Sequence, residues 1–182
     1  MPHYATLYLR LALAAGFLTS VSDRFGLWGA PGRANVAWGD FQRFTVYTSQ
    51  LNPWAPTVLV PPLAWFVTAA ETVLGLALIV GLRTRNAALA SGVLLSLFAL
   101  GLTAGIGVKS ALNYSVFAAS AGAFALATAS SYPWSLDALL AALKARRTPH
   151  QPSSSLADEC CPTYMGVCAP SSFGRDFSER SW

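Results

Sequence analysis

The sequence predicts an all-α integral membrane fold: a four-helix bundle with an interfacial amphipathic segment and a disordered C-terminal tail. Three observations predict it. Of the 182 residues, 54% are hydrophobic and only 11% are charged, whereas soluble domains carry about 25% charged residues. Mean hydropathy is positive, at +0.45. The charges are also clustered. Between Gln50 and Leu143 the only acids and bases other than tyrosines are Glu71, Arg83, Arg85, Lys109 and Asp137, which leaves runs long enough to cross a bilayer.

Four runs reach the roughly 20 residues that a membrane helix needs: residues 4–22, 57–82, 86–108 and 111–131. Arg10 interrupts the first, and "LALAAGFLTS" has the look of a signal-peptide core. The residues before the apolar stretch that begins near Tyr4 hold no Lys or Arg, however, and three further runs commit the chain to the membrane. Pro61 and Pro62 fall in the first turns of the second run, where missing amide donors cost least. In the third, "GLTAG" places Gly101 and Gly105 in a GxxxG pattern, and "AASAGAFALATAS" lines the fourth with small residues. Both let helix backbones approach closely, within the bundle or in a homo-oligomer.

The connections carry structure too. Within residues 36–51, Val36, Phe44, Tyr47 and Leu51 fall near one helical face, in a loop rich in Trp and Phe. That predicts a short helix on the outer membrane surface, with a cap over the bundle as the other reading. In residues 135–147, Ser135 is placed as an N-cap, Asp137 in the first turn and basic residues in the last, which suits an amphipathic helix at the inner surface. Residues 1–147 thus form one membrane domain. Residues 148–182 shift to Pro, Ser, Cys and charge, the composition of a flexible tail.

The net charge of +4 does not point to nucleic acid, because the basic residues sit at the ends of apolar runs rather than in a patch with interleaved aromatics. They are topology signals. Arg83 and Arg85 share a side with Lys144, Arg146 and Arg147, near His3 and Arg10. Arg24, Arg33, Arg43 and Lys109 lie opposite, offset by Asp23 and Asp40. The positive-inside rule then puts both termini in the cytoplasm.

Glu71 is the residue that most needs a reason. It lies about ten residues from the inner end of its span, or about 15 Å deep, and Arg10 lies about 9 Å deep on a span running the other way. Unpaired, each costs about 2.5–3.5 kcal/mol on insertion scales, so an intramembrane ion pair between Glu71 and Arg10 is expected. Such a pair either fixes the register of the first two spans or leaves Glu71 to handle a proton beside a bound ligand. At the outer mouth, Asp23 and Arg24 end the first span, and Asn113 and Tyr114, with Lys109, have the groups to hydrogen-bond a quinone carbonyl or a lipid head. Ordinary helix-end polarity accounts for them equally well.

All three cysteines, Cys160, Cys161 and Cys168, lie in the tail segment "ECCPTYMGVC". Thiols so spaced can bind Cu(I) or Zn(II) or exchange disulfides. They do not form CxxC, and a reducing cytoplasm keeps them as thiols, so no resident metal is expected. The chain also has no CxxCH, no GxGxxG after a strand, no P-loop and no HExxH.

These features together resemble the DoxX family of small bacterial and archaeal membrane proteins. The likeness rests on "LRLALAAGFLTSVSDRFG", on "PPLAW" and "AAETVLGLALIVGLRTRNAAL", on "LNY" and on "SLDALL", and spans roughly residues 5 to 143. It implies a four-helix bundle in the cytoplasmic (inner) membrane. It also implies a membrane subunit or partner of a redox or stress-defence protein, with quinone as the expected cofactor. By the same resemblance Arg10, Glu71, Asn113 and Tyr114 become the expected quinone or partner site. The competing classes are a non-enzymatic scaffold or assembly factor and, less well supported by four spans without an inverted repeat, a small-solute carrier.

Overall fold

The computed structural model describes residues 2–147, and these are all-α, with no strand among them. The helices are α1 (His3–Arg24), α2 (Phe41–Leu51), α3 (Val60–Val80), α4 (Thr84–Gly105), α5 (Val108–Asn113), α6 (Val116–Ala127) and α7 (Leu136–Arg147). A single 3-10 turn, Thr57–Leu59, leads into α3. Three helices are long and apolar enough to cross a membrane: His3–Arg24, Thr57–Val80 and Thr84–Gly105.

Which residues face inward gives the solvent away. The stripe that α3 buries is Val60, Ala64, Thr68, Glu71, Gly75 and Leu78, while Trp65, Phe66, Val73, Leu76, Ile79 and Val80 are exposed. In α4 the buried set includes Ala87, Ala88, Ser91 and Gly92, and Leu89, Val93, Leu97 and Leu100 face out. Small and polar side chains inside, large apolar ones outside, is the reverse of a soluble helix. It is the pattern of helices whose outer faces meet lipid and whose contacts depend on close backbone approach.

The four core helices pack in the order α1, α3, α4, α6, with α4 on α6 and α1 on α3 the most extensive contacts and α1 on α6 much sparser. Gly92 lets the Phe124 ring lie on α4, since a Cβ there would come within 2.8 Å of it. Ser120 Oγ donates to the Gly92 carbonyl at 3.1 Å and meets Ser96 Oγ at 2.7 Å. Gly75 gives the same access to Leu18.

The fourth run departs from expectation. Instead of one helix over residues 111–131, the chain forms α5, breaks at Tyr114 and Ser115, and resumes as α6. Ser115 has φ +54°, and its amide donates to the Leu112 carbonyl at 2.9 Å; asparagine and serine here favour a turn over an uninterrupted helix. The 12 residues of α6 reach only about 18 Å at the helical rise, short of the roughly 30 Å hydrocarbon layer.

The end of the bundle that carries the N-terminus is tied together by two charged residues. Arg10 is buried and donates to four carbonyls: Nε to Leu78 at 3.1 Å, Nη2 to Ile79 at 3.1 Å, and Nη1 to Pro133 and Trp134 at 3.1 and 3.5 Å. It neutralises the C-terminal carbonyls of α3, where the helix dipole is negative. Gly81 ends α3 at φ +73°, and a Cβ there would lie 2.6 Å from Arg10 Nη2, so both conformation and space demand glycine.

Asp137, from α7, accepts from the Arg83 and Thr84 amides at 2.8 and 2.7 Å and from Thr84 Oγ1 at 3.0 Å. It caps α4 rather than its own helix. The N-cap of α7 is Ser135, whose Oγ accepts from the Ala138 amide at 3.1 Å.

The opposite end is covered by α2, which starts at an N-cap Asp40 that accepts from the Arg43 amide at 2.7 Å and buries Phe44, Thr48 and Leu51. Tyr47 is half-buried, as its place on that face predicts, whereas Val36 precedes the helix. The GxxxG glycines of α4 meet this cap: a Cβ on Gly105 would overlap the Gln50 carbonyl, and Gly101 faces Leu51.

Candidate functional site

Glu71 sits on the inward stripe of α3 and is 3% exposed. Its partner is Arg24, at the last turn of α1, with Arg24 Nη2 to Glu71 Oε2 at 2.6 Å. The expected partner, Arg10, is engaged with α3 carbonyls seven and eight residues further along, about 10–12 Å from the Glu71 level. The Glu71–Arg10 pairing is thus corrected to Glu71–Arg24.

Arg24 is 1% exposed. Nη1 donates to Thr68 Oγ1 at 2.7 Å and Nη2 to Ser20 Oγ at 3.2 Å. Its guanidinium lies 3.7 Å from the Phe44 ring centroid and 5.5 Å from that of Trp38, contacts that favour the cation where water is excluded. Neighbouring Asp23 fixes the loop that carries Trp38, accepting from the Ala37 and Trp38 amides at 3.1 and 2.8 Å. Helices α1, α2 and α3 therefore all contribute to one charged cluster.

That cluster is not saturated. Among the described residues, Arg24 Nε, Glu71 Oε2 and Asp23 Oδ1 are buried without a hydrogen-bond partner. Glu71 Oε2 is held in the ion pair, 2.6 Å from Arg24 Nη2, which leaves Arg24 Nε and Asp23 Oδ1 as the atoms with neither contact. Unsatisfied polar groups in a low-dielectric interior are costly, and both residues of the pair also line an open groove, where their remaining polar surface can meet a ligand.

The pair lies at the head of a groove of about 1220 Å³ between α1, α2, α4 and α6. Ligand sites commonly measure about 300–1,000 Å³. Near the head the lining is polar: Arg24, Glu71, Gln50, Tyr47 and Tyr114, with Asp40 and Arg43 at the rim. Along α1 and α6 it is apolar and small, with Leu9, Ala12, Gly16, Ala118, Ala119 and Gly122. Burial, and secondarily the nearby Tyr114, pushes the Tyr47 hydroxyl above its ordinary range.

Of the residues singled out from the sequence, Glu71 and Tyr114 meet at this groove. Arg10 is at the other end of the bundle. Asn113 is exposed and does not line the groove, and Lys109 is exposed on α5. Among the described residues no group of His, Cys, Asp or Glu could hold a metal; Cys160, Cys161 and Cys168 lie outside them. What the sequence reading missed is the part that Arg24, placed at the outer mouth, and Phe44, placed on the α2 face, take around Glu71, together with Thr68 and Gly16.

No curated protein and no solved structure is detectably similar to the chain. A family model does match, that of the methylamine utilisation protein MauE, over residues 2–113. The match runs from α1 through α5 and takes in Arg10, Arg24 and Glu71. The resemblance to DoxX is met at the level of a membrane-protein family and not of DoxX itself. The chain belongs to the MauE family.

Proposed function

We propose that the protein is a membrane partner in a redox system and that it holds a quinone in the groove headed by Arg24 and Glu71. The observation that carries the proposal is the buried, incompletely hydrogen-bonded ion pair at the polar end of a large apolar groove. A quinone carbonyl accepts from the Arg24 guanidinium, and a quinol hydroxyl donates to the Glu71 carboxylate. The family's description adds a setting, methylamine utilisation, within which such a redox partner acts. We further propose that the end carrying Arg10, Arg83 and Arg85 faces the cytoplasm, as the positive-inside rule requires.

The test is the quinone content of protein purified in mild detergent, wild type beside Glu71→Gln. The proposal expects quinone to co-purify with wild type and to be depleted in the variant. A quinone-free wild type, with a variant altered only in thermal stability, would leave the pair a purely structural tie and support the scaffold reading instead.

A further inference from the structure

We propose that the groove takes a single-chain amphiphile with an uncharged head, which enters sideways from the lipid between α1 and α6. The inference deepens the quinone reading and rests on it for the identity of the head. Three features of the groove argue for it.

First, the charges at its head cancel. Its lining holds two acids and two bases, Glu71 with Arg24 and Asp40 with Arg43, and each acid is paired with its base at 2.6 and 3.4 Å. A phosphate head would have to break a buried pair or leave Glu71 facing an anion. An uncharged head that both donates and accepts matches a site lined by the Glu71 carboxylate and the Arg24 guanidinium, whose charges already offset each other.

Second, the groove is long. On α1 its lining runs from Leu9 to Arg24, about 22 Å at the helical rise, which exceeds what a ring-sized head needs. Leu9, Leu13, Gly16 and Ser20 follow one another at helical spacing on that stripe.

Third, the floor is kept open. A Cβ on Gly16 would meet nothing within 4 Å, and Ala12 and Gly16 are exposed although they line the groove. Contact between α1 and α6 is sparse and includes Leu9 against Gly122, and the chain leaves the groove for the lipid along this thinly packed seam. Gly75 and Gly92, by contrast, are filled by neighbouring side chains.

The experiment measures quinone bound per protein in nanodiscs for wild type, Gly16→Leu and Glu71→Gln. The probes are a long-chain isoprenoid quinone, the same ring without its tail, a long-chain isoprenoid alcohol and an anionic phospholipid. Because Gly16 faces open space, Gly16→Leu leaves the helix packing intact, which an unchanged Tm verifies. The expected result is that Gly16→Leu weakens the long-chain quinone by about tenfold or more, the effect of overfilling a packed site, and changes the tail-less ring by less than about twofold.

Equal sensitivity of the two quinones, or none, overturns the tail groove and leaves the quinone reading standing. Binding of the long-chain alcohol but of neither quinone, lost in Gly16→Leu, sinks the quinone reading and keeps the amphiphile groove. Preference for the anionic phospholipid overturns the uncharged head.

Discussion

Arg24 and Glu71 form an ion pair across α1 and α3, 2.6 Å apart and almost fully buried. Breaking one side of such a pair strands the other charge, at about 3–5 kcal/mol, whereas replacing both by apolar residues is often neutral or better. Arg24→Met and Glu71→Met should each lower stability by that amount, and the double variant should recover most of it. Thermal unfolding of the four proteins in detergent closes the cycle. Additive losses would mean that the two side chains are not coupled.

Arg10 does different work, and its variants should separate the two sites. Its four carbonyl bonds join α1 to the end of α3 and to Pro133 and Trp134. Bonds to a charged group contribute about 1.5–3 kcal/mol each at most. Arg10→Met is therefore expected to lose about 3 kcal/mol or more, and Arg10→Lys less, since an ammonium reaches fewer of the four. Neither should change quinone content per folded protein, which is the measurement that tells this tie from the groove.

The correction from Arg10 to Arg24 shows how much of the site was legible in the sequence. The membrane class, the long helices, the inward position of Glu71 and its need for a cation all follow from composition and spacing. Depth alone pointed to Arg10, about 6 Å from the level of Glu71, over Arg24 at the outer end of the first span. Side-chain direction decides between them: helical side chains lean toward their own N-terminus, and α1 and α3 run in opposite directions. Glu71 therefore leans toward the end where α1 finishes, Arg24 leans back toward it, and Arg10 leans away. The groove was not legible, because it depends on how far α6 stands from α1, and the break at Ser115 that ends α5 depends on a turn conformation that composition does not specify.

Asp137 should give the protein an acid-sensitive joint. Burial pushes its carboxyl up, but hydrogen bonds from the Thr84 and Arg83 amides and the Thr84 hydroxyl, with Arg10 nearby, outweigh it and hold it below the ordinary 3.8. A depressed carboxyl stabilises the fold above the unfolded-state value, and that contribution is lost as pH falls through the folded one. Wild type is accordingly expected to lose Tm below about pH 4 more steeply than Asp137→Asn, which starts lower and lacks the titration. Parallel Tm curves between pH 7 and pH 3 would show that the cap does not depend on charge.

Orientation can be read from the tail, which holds every cysteine of the chain. Under the proposed orientation, with both termini on the cytoplasmic side, a membrane-impermeant maleimide should leave intact cells unlabelled and react after permeabilisation. Labelling before permeabilisation would reverse the assignment that the arginines imply.

The GxxxG glycines give the last prediction, because they bear on both oligomerisation and the site. Gly101 and Gly105 are half-buried and exposed, respectively, but the direction a Cβ would take from each is met by Leu51 and Gln50 of the same chain, so the close approach that the pattern permits is made to α2. A Cβ on Gly105 would overlap the Gln50 carbonyl, and such overpacking costs about 1–3 kcal/mol. Gly105→Ala should therefore displace α2 without changing oligomeric state. Since α2 carries Phe44 over Arg24 at 3.7 Å, the same variant should loosen the head of the groove and reduce bound quinone although no groove residue has been altered. Limited proteolysis within residues 41–56, sizing in detergent and quinone content measure the three effects on one sample. A change in sizing with α2 still protected would return these glycines to a dimer interface.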